Sequence, residues 1–219
     1  MHPLSRTVTS SQTGCHDNLT KIVTKHLAHP FRRPASSHSL AAFEQLSSKR
    51  PAGMPLMFDS GCGTGDSTRR LAQKFPNHFV IGVDRSVARL GRQGTMVEPD
   101  NMMLIRADLI DLYGLMAQAG WQLDRHFLFY PNPSPKPAHL KRRWHGSPIW
   151  PAILSLGGQI ELRTNWHIYA SEFAAALEIA GHQATLLPLT NATDFVSPFE
   201  KKYKQSGHRL WQVTAALTN

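Results

Sequence analysis

The chain has 219 residues, 41% of them hydrophobic, with 24 Lys or Arg against 15 Asp or Glu and a formal net charge of +9, enough for one α/β domain with an extension. No window approaches the roughly 18 uninterrupted apolar residues of a membrane span, and the opening "MHPLSRTVTSSQTG" lacks the apolar core of a secretory signal, so a cytoplasmic protein is expected. Cys15 and Cys62 sit in no CxxC or Cys/His array and the 12 histidines are scattered, which argues against a disulfide framework and against a metal site.

Residues 1–50 are rich in Ser, Thr, His and basic side chains and are expected to form a partly flexible arm, with "HPFRRP" as a linker and "SLAAFEQL" as a short helix. From residue 51 to 219 the texture is that of a folded domain. The runs "PLMFDSG", "HFVIGVD", "NMMLIRAD", "RHFLFYP", "GGQIELRTN" and "QATLLPL" are continuously apolar, as strands covered on both faces must be. Helical patterns fall between them at 66–75, 86–94, 109–119, 148–156 and 167–180. The last run, "HRLWQVTAAL", follows a loop with no helix expected before it and should pair antiparallel. The expected fold class is α/β, a Rossmann-like doubly wound sheet of seven mostly parallel strands with a final antiparallel strand and helices on both faces.

The first strand runs into "DSGCGTGDS", residues 59–67. Gly61, Gly63 and Gly65 clear side chains from a strand-to-helix turn, where free backbone N–H groups can meet a ligand. Asp84 closes the second strand, where an acid can accept from both ribose hydroxyls, and Asp108 closes the third, where it can accept from an adenine amine. With Asp59 ahead of the glycines, acids at the ends of three successive strands point to one nucleoside lying across the crevice. The arrangement resembles the S-adenosylmethionine-dependent methyltransferases of Rossmann type, and the GxGxG spacing favours that cofactor over NAD.

The fourth strand delivers "PNPSPKPAHLKRR", residues 131–143, to the same edge. Prolines at 131, 133, 135 and 137 fix φ and hold the loop extended. Lys136, His139, Lys141, Arg142 and Arg143 form a cationic patch suited to phosphates. Positive charge also concentrates elsewhere: residues 1–50 carry seven Lys or Arg and two acids, and residues 196–209 carry four and one. Such confinement fits a polyanionic partner.

This segment is similar to the tRNA (guanine-N7)-methyltransferase signature PDPWxKxRHxKRR, keeping Pro131, Pro133, Lys136, His139, Lys141, Arg142 and Arg143. "RTNW" (163–166) stands where that family has TDW, and "SPFEKKYKQSGHRLWQV" (197–213) resembles its TxFExKxxxxGxxxW segment. Three positions depart: Asn132 replaces an acid, Ser134 a tryptophan and Asn165 the acid of TDW. The resemblance implies S-adenosylmethionine as cofactor and tRNA as partner, Asn132 and Glu200 at the catalytic position, and Lys136, His139, Arg142, Asn165, Ser197 and Glu200 in contact with substrate. A monomer or homodimer is expected. Two alternatives stay open: an RNA-binding protein with this fold and weakened or absent catalysis, and a methyltransferase with another substrate.

Overall fold

The computed structural model describes residues 5–92, 97–190 and 195–218. Seven strands form one sheet: β1 (Leu56–Ser60), β2 (Phe79–Asp84), β3 (Met102–Arg106), β4 (Arg125–Phe129), β5 (Gly158–Thr164), β6 (Ala184–Pro188) and β7 (Trp211–Leu217), in the order β3-β2-β1-β4-β5-β7-β6. The pairings of β1 with β2 and β4, of β2 with β3 and of β4 with β5 are parallel; β7 lies antiparallel between β5 and β6.

Alternation along the strands separates two apolar layers. Phe58, Ile81, Leu128, Ile160 and Leu162 face one side, under α1 (Leu19–Leu27), α2 (Ser37–Lys49), α5 (Leu109–Gln118), α6 (Trp150–Ser155) and α7 (His167–Ile179). Met57, Val80, Phe127 and Phe129 face the other, under Leu71 and Ala72 of α3 (Asp66–Lys74). The apolar runs of β1, β2 and β4 thus reflect strands buried twice, whereas those of β3 and β6 do not: both are edge strands, and Leu187 of β6 is 55% exposed.

Three differences from the sequence expectation have physical reasons. The N-terminal region is docked through two helices: Leu19 and Val23 of α1 and Ala42 and Leu46 of α2 join the main core, and Ser36, the cap of α2, is held by Asp111. Their apolar residues, spaced by four, were diluted by the polar composition around them. A helix, α8 (Pro198–Gln205), does precede β7. Its start carries a cap signature, for Ser197 Oγ accepts from the Glu200 N–H at 3.2 Å and Pro198 opens the first turn. Between β2 and β3 the helix is short: α4 spans Val87–Leu90 and ends at Gly91, while residues 93 and 94 of the expected 86–94 helix lie outside the described residues.

Candidate active site

The chain winds outward from β1 to β3, then returns to place β4 against the other side of β1, with Asp59 opposite Phe127. A crevice opens at the carboxyl ends of strands where the winding reverses. Both the glycine turn and the proline loop leave the sheet there.

The turn is held by its own neighbourhood. Gly63 has φ 63° and donates its N–H to Asp84 Oδ2 at 3.1 Å, while a Cβ built there would meet nothing within 4 Å, so the turn presents open backbone. A Cβ on Gly65 would come within 2.6 Å of Leu104 Cδ1, which ties the turn to β3. Asp59 is buried and accepts from Ser67 Oγ at 2.6 Å and Thr68 Oγ1 at 2.7 Å, stapling the end of β1 to the first turn of α3. Burial pushes its carboxyl up to about 6, against the pull of those two hydroxyls.

Asp84 is 3% exposed, and its oxygens take the N–H groups of Gly63 and Ser86 and the guanidinium of Arg89 at 3.3 Å. A ribose hydroxyl reaching it would displace Arg89, whose side chain is 44% exposed. Asp108 caps α5 by accepting from the Ile110 N–H at 2.8 Å and keeps a half-exposed side chain at the crevice, with Arg33 at 3.5 Å. Arg33, inside the expected linker, also pairs with Asp111. Beneath the crevice Ser60, Tyr113 and His126 share a buried polar cluster, with Ser60 Oγ 2.6 Å from the Tyr113 hydroxyl. Burial holds the His126 imidazole at about 3, hence neutral.

The proline loop is strained. Tyr130 (φ 52°) and Ser134 (φ 44°) occupy the left-handed region without being glycine, and bracket Pro131-Asn132-Pro133. Asn132 is exposed, and its Oδ1 accepts from the Ser134 N–H at 3.0 Å, forming an Asx turn. Lys136, Lys141 and Arg142 are exposed and His139 half-buried on a 3₁₀ turn spanning Pro137–Arg142. Arg143 departs from the expected patch. It is fully buried, pairs with Glu172 of α7 and offers nothing to a phosphate.

Glu200 is also fully buried. Its carboxylate accepts from the Tyr130 hydroxyl at 2.8 Å, from Arg163 Nη1 at 3.1 Å and from the Val196 N–H at 3.3 Å. With those acceptors engaged, Glu200 braces the strained Tyr130 instead of facing a reacting atom. Ser197, 8% exposed, caps α8. Asn165, just past β5, donates through Nδ2 to His208 Nδ1 at 2.9 Å, and His208 Nε2 donates to the Ser5 carbonyl. Asn165 and His208 border a cavity of about 510 Å³ that also touches His167, Arg209 and Trp211.

Sequence reasoning missed Glu172 and Arg163. The available signal for Glu172 was an acid on the inner side of the apolar α7, which requires a buried cation opposite it. Among the described residues, no group of three His, Cys, Asp or Glu side chains could hold a metal ion, and no helix is long and apolar enough to cross a membrane.

Comparison with known proteins fits this geometry. A family model described as "Putative methyltransferase" matches residues 53–213. The tRNA (guanine-N(7)-)-methyltransferase of Ralstonia pickettii (strain 12J) is 29% identical over 201 residues, covering 84% of this chain and 73% of that protein. The protein of the same name from Ectopseudomonas mendocina (strain ymp) is 30% identical over 176 residues, covering 73% and 71%. Among solved structures, the 16S rRNA methyltransferase KamB superposes with a TM-score of 0.59 at 16% identity, covering 85% of this chain and 96% of that one. A 16S rRNA (adenine(1408)-N(1))-methyltransferase from Catenulisporales acidiphilia, solved with its cosubstrate SAM, superposes at 0.57 with 14% identity, covering 81% and 92%. At such identities these two speak for the fold alone. The sequence relatives decide the family, and the chain belongs to the tRNA (guanine-N7)-methyltransferases.

Proposed function

We propose that this protein transfers a methyl group from S-adenosylmethionine to N7 of a guanine in tRNA, as a cytoplasmic enzyme whose transfer domain is residues 51–219. One observation carries the reading: the open glycine turn and the cationic proline loop leave adjacent parallel strands, β1 and β4, at the same edge of the sheet.

The residues present fit the cofactor. Gly61 and Gly63 open onto free space, Asp108 is half-exposed for an adenine amine, and Asp84 becomes available to ribose hydroxyls once Arg89 swings out. S-Adenosylmethionine supplies the electrophilic methyl group. Guanine N7 carries a bare lone pair on the major-groove edge, so no proton leaves before attack and no general base is needed. The chain's own part is alignment, which alone can supply about 7–11 kcal/mol of barrier reduction. Lys136, His139 and Arg142 would take RNA phosphates, and Asn132 would face the guanine.

An aspartate at 132 would keep the Asx turn through one oxygen and turn a full charge toward the purinium that develops. Asn132 lacks that charge, which favours a second reading: an RNA-binding protein with this fold and little or no turnover. Transfer of labelled methyl from S-adenosylmethionine to unfractionated tRNA separates the two. Incorporation that weakens with added salt is the expected result, and no incorporation at any salt concentration would remove the catalytic reading.

A further inference from the structure

The loop 131–136 cannot hold itself. Pro131, Pro133 and Pro135 contribute no N–H, and the Ser134 N–H is taken within the loop by Asn132. Yet Ser134 sits at φ 44° and must be kept there. Three consecutive carbonyls carry the restraint, each bound from outside. The Ser134 carbonyl accepts from Arg143 Nε at 3.3 Å and Nη2 at 3.2 Å, and the Lys136 carbonyl from Nη2 at 3.5 Å. The Pro135 carbonyl between them accepts from Ser10 Oγ at 2.5 Å.

The N-terminal segment also closes the ring behind Arg143. Gln12 accepts from Arg143 Nη2 through Oε1 at 3.1 Å and donates through Nε2 to Glu172 Oε1 at 2.5 Å and to the Gly14 carbonyl at 2.7 Å. The His16 N–H donates to the same Glu172 oxygen at 3.0 Å, and Ser10 Oγ accepts from the Gln12 N–H at 3.0 Å. His145 Nε2 lies 2.9 Å from Glu172 Oε2, the oxygen that pairs with Arg143. The uncharged amide of Gln12 serves both sides, because Arg143 needs an acceptor and Glu172 a donor. Residues 7–16 contain no Lys, Arg, Asp or Glu, so this contact is no electrostatic tether for RNA.

We propose that Ser10 and Gln12 are positioning residues of the transfer reaction: acting through the Pro135 carbonyl and through Arg143, the N-terminal segment braces the 131–136 loop so that Asn132 and Lys136 meet the substrate in register. The proposal rests on the methyltransferase reading for its kinetic consequence, though not for its structural one. A loose loop still offers its cations to phosphates, but it holds guanine in a productive pose for less of the time.

The test uses the full chain carrying Gln12→Ala, with Ser10→Ala as a milder variant in case the first folds poorly. Hydrogen exchange of the 130–143 peptides and steady-state kinetics with tRNA are compared with the parent well below the melting temperature. Exchange in that segment is expected to rise about tenfold with the β1 and β2 peptides unchanged, while kcat falls tenfold or more and KM for tRNA stays within twofold. Unchanged exchange in both variants would overturn the proposal. A raised KM at constant kcat would also overturn it, since that marks a tether. If the parent transfers no methyl to tRNA, the functional reading fails on its own; raised exchange then still supports the brace, and unchanged exchange still overturns it.

Discussion

The glycine turn after β1 and the proline loop after β4 leave adjacent parallel strands at the same edge of the sheet, yet they are restrained by opposite means. The turn's restraints come from close by in the chain: Asp59 binds residues eight and nine positions on, and Asp84 reaches back 21 positions to Gly63. The loop's restraints come from afar. Tyr130 is held by Glu200, 70 positions away, Pro135 by Ser10, 125 away, and Arg143 meets Gln12 across 131. A turn fixed by β1, α3 and the neighbouring strands β2 and β3 forms when that part of the sheet forms. A loop fixed by α7, α8 and the N-terminal segment is only as rigid as the packing of the whole chain, so damage to the two regions should read out differently.

The largest expected effect breaks the loop's anchor. Glu172→Ala leaves Arg143 buried without its partner and should cost about 3–5 kcal/mol of unfolding free energy, measured by urea denaturation. The carboxylate is well suited to the pairing. Burial raises its pKa, but His145, Arg143 and Gln12 outweigh that and hold it at about 2. A loss below about 1 kcal/mol would mean that the ring around Arg143 carries little of the fold.

Next comes a change in the chemistry of the loop with its anchor intact. Asn132→Asp should raise kcat on the order of a hundredfold or more, equivalent to about 2.7–4 kcal/mol, with affinity for S-adenosylmethionine unchanged. Pre-steady-state methyl transfer would measure it. A kcat within twofold of the parent would mean that the charge at this position does not act on the transition state.

A third prediction concerns the turn alone. The carboxyl of Asp59 is raised from 3.8 to about 6 in the folded protein, so the native state binds the proton more tightly than the unfolded chain does. The stability this group contributes is therefore present below about pH 4 and is lost as pH rises through about 6, a change of about 3 kcal/mol. Asp59→Asn removes that dependence while an amide oxygen can still accept from Ser67 and Thr68. The variant should gain stability relative to the parent between pH 4 and pH 7 by chemical denaturation; a difference that does not vary with pH would contradict the assignment. The smallest effect is expected at the exposed edge: Lys136→Ala should reduce the salt slope of tRNA binding by about 0.7 to 0.9, the share of one phosphate contact.

The same contrast explains what was legible in the sequence. Asp59, Gly61, Gly63, Gly65, Asp84 and Asp108 sit on strand ends and turns that local pattern fixes, so their arrival at one edge followed from the alternation of strands and helices. The roles of Arg143 and Glu200 did not follow. Arg143 reads as one more cation in a basic run until Glu172 is seen opposite it, and Glu200 reads as an acid near the chemistry until Tyr130 and Arg163 are seen to engage it. The side chain of Gln12 sits in a stretch with no periodicity or charge to mark it. Pairings between distant segments are set by packing, and a single sequence carries no local trace of them.

The most direct measurement is nucleoside analysis of tRNA after incubation with the protein and labelled S-adenosylmethionine. The account requires the label in 7-methylguanosine. Label in 1-methyladenosine, or in any product other than 7-methylguanosine, would contradict it.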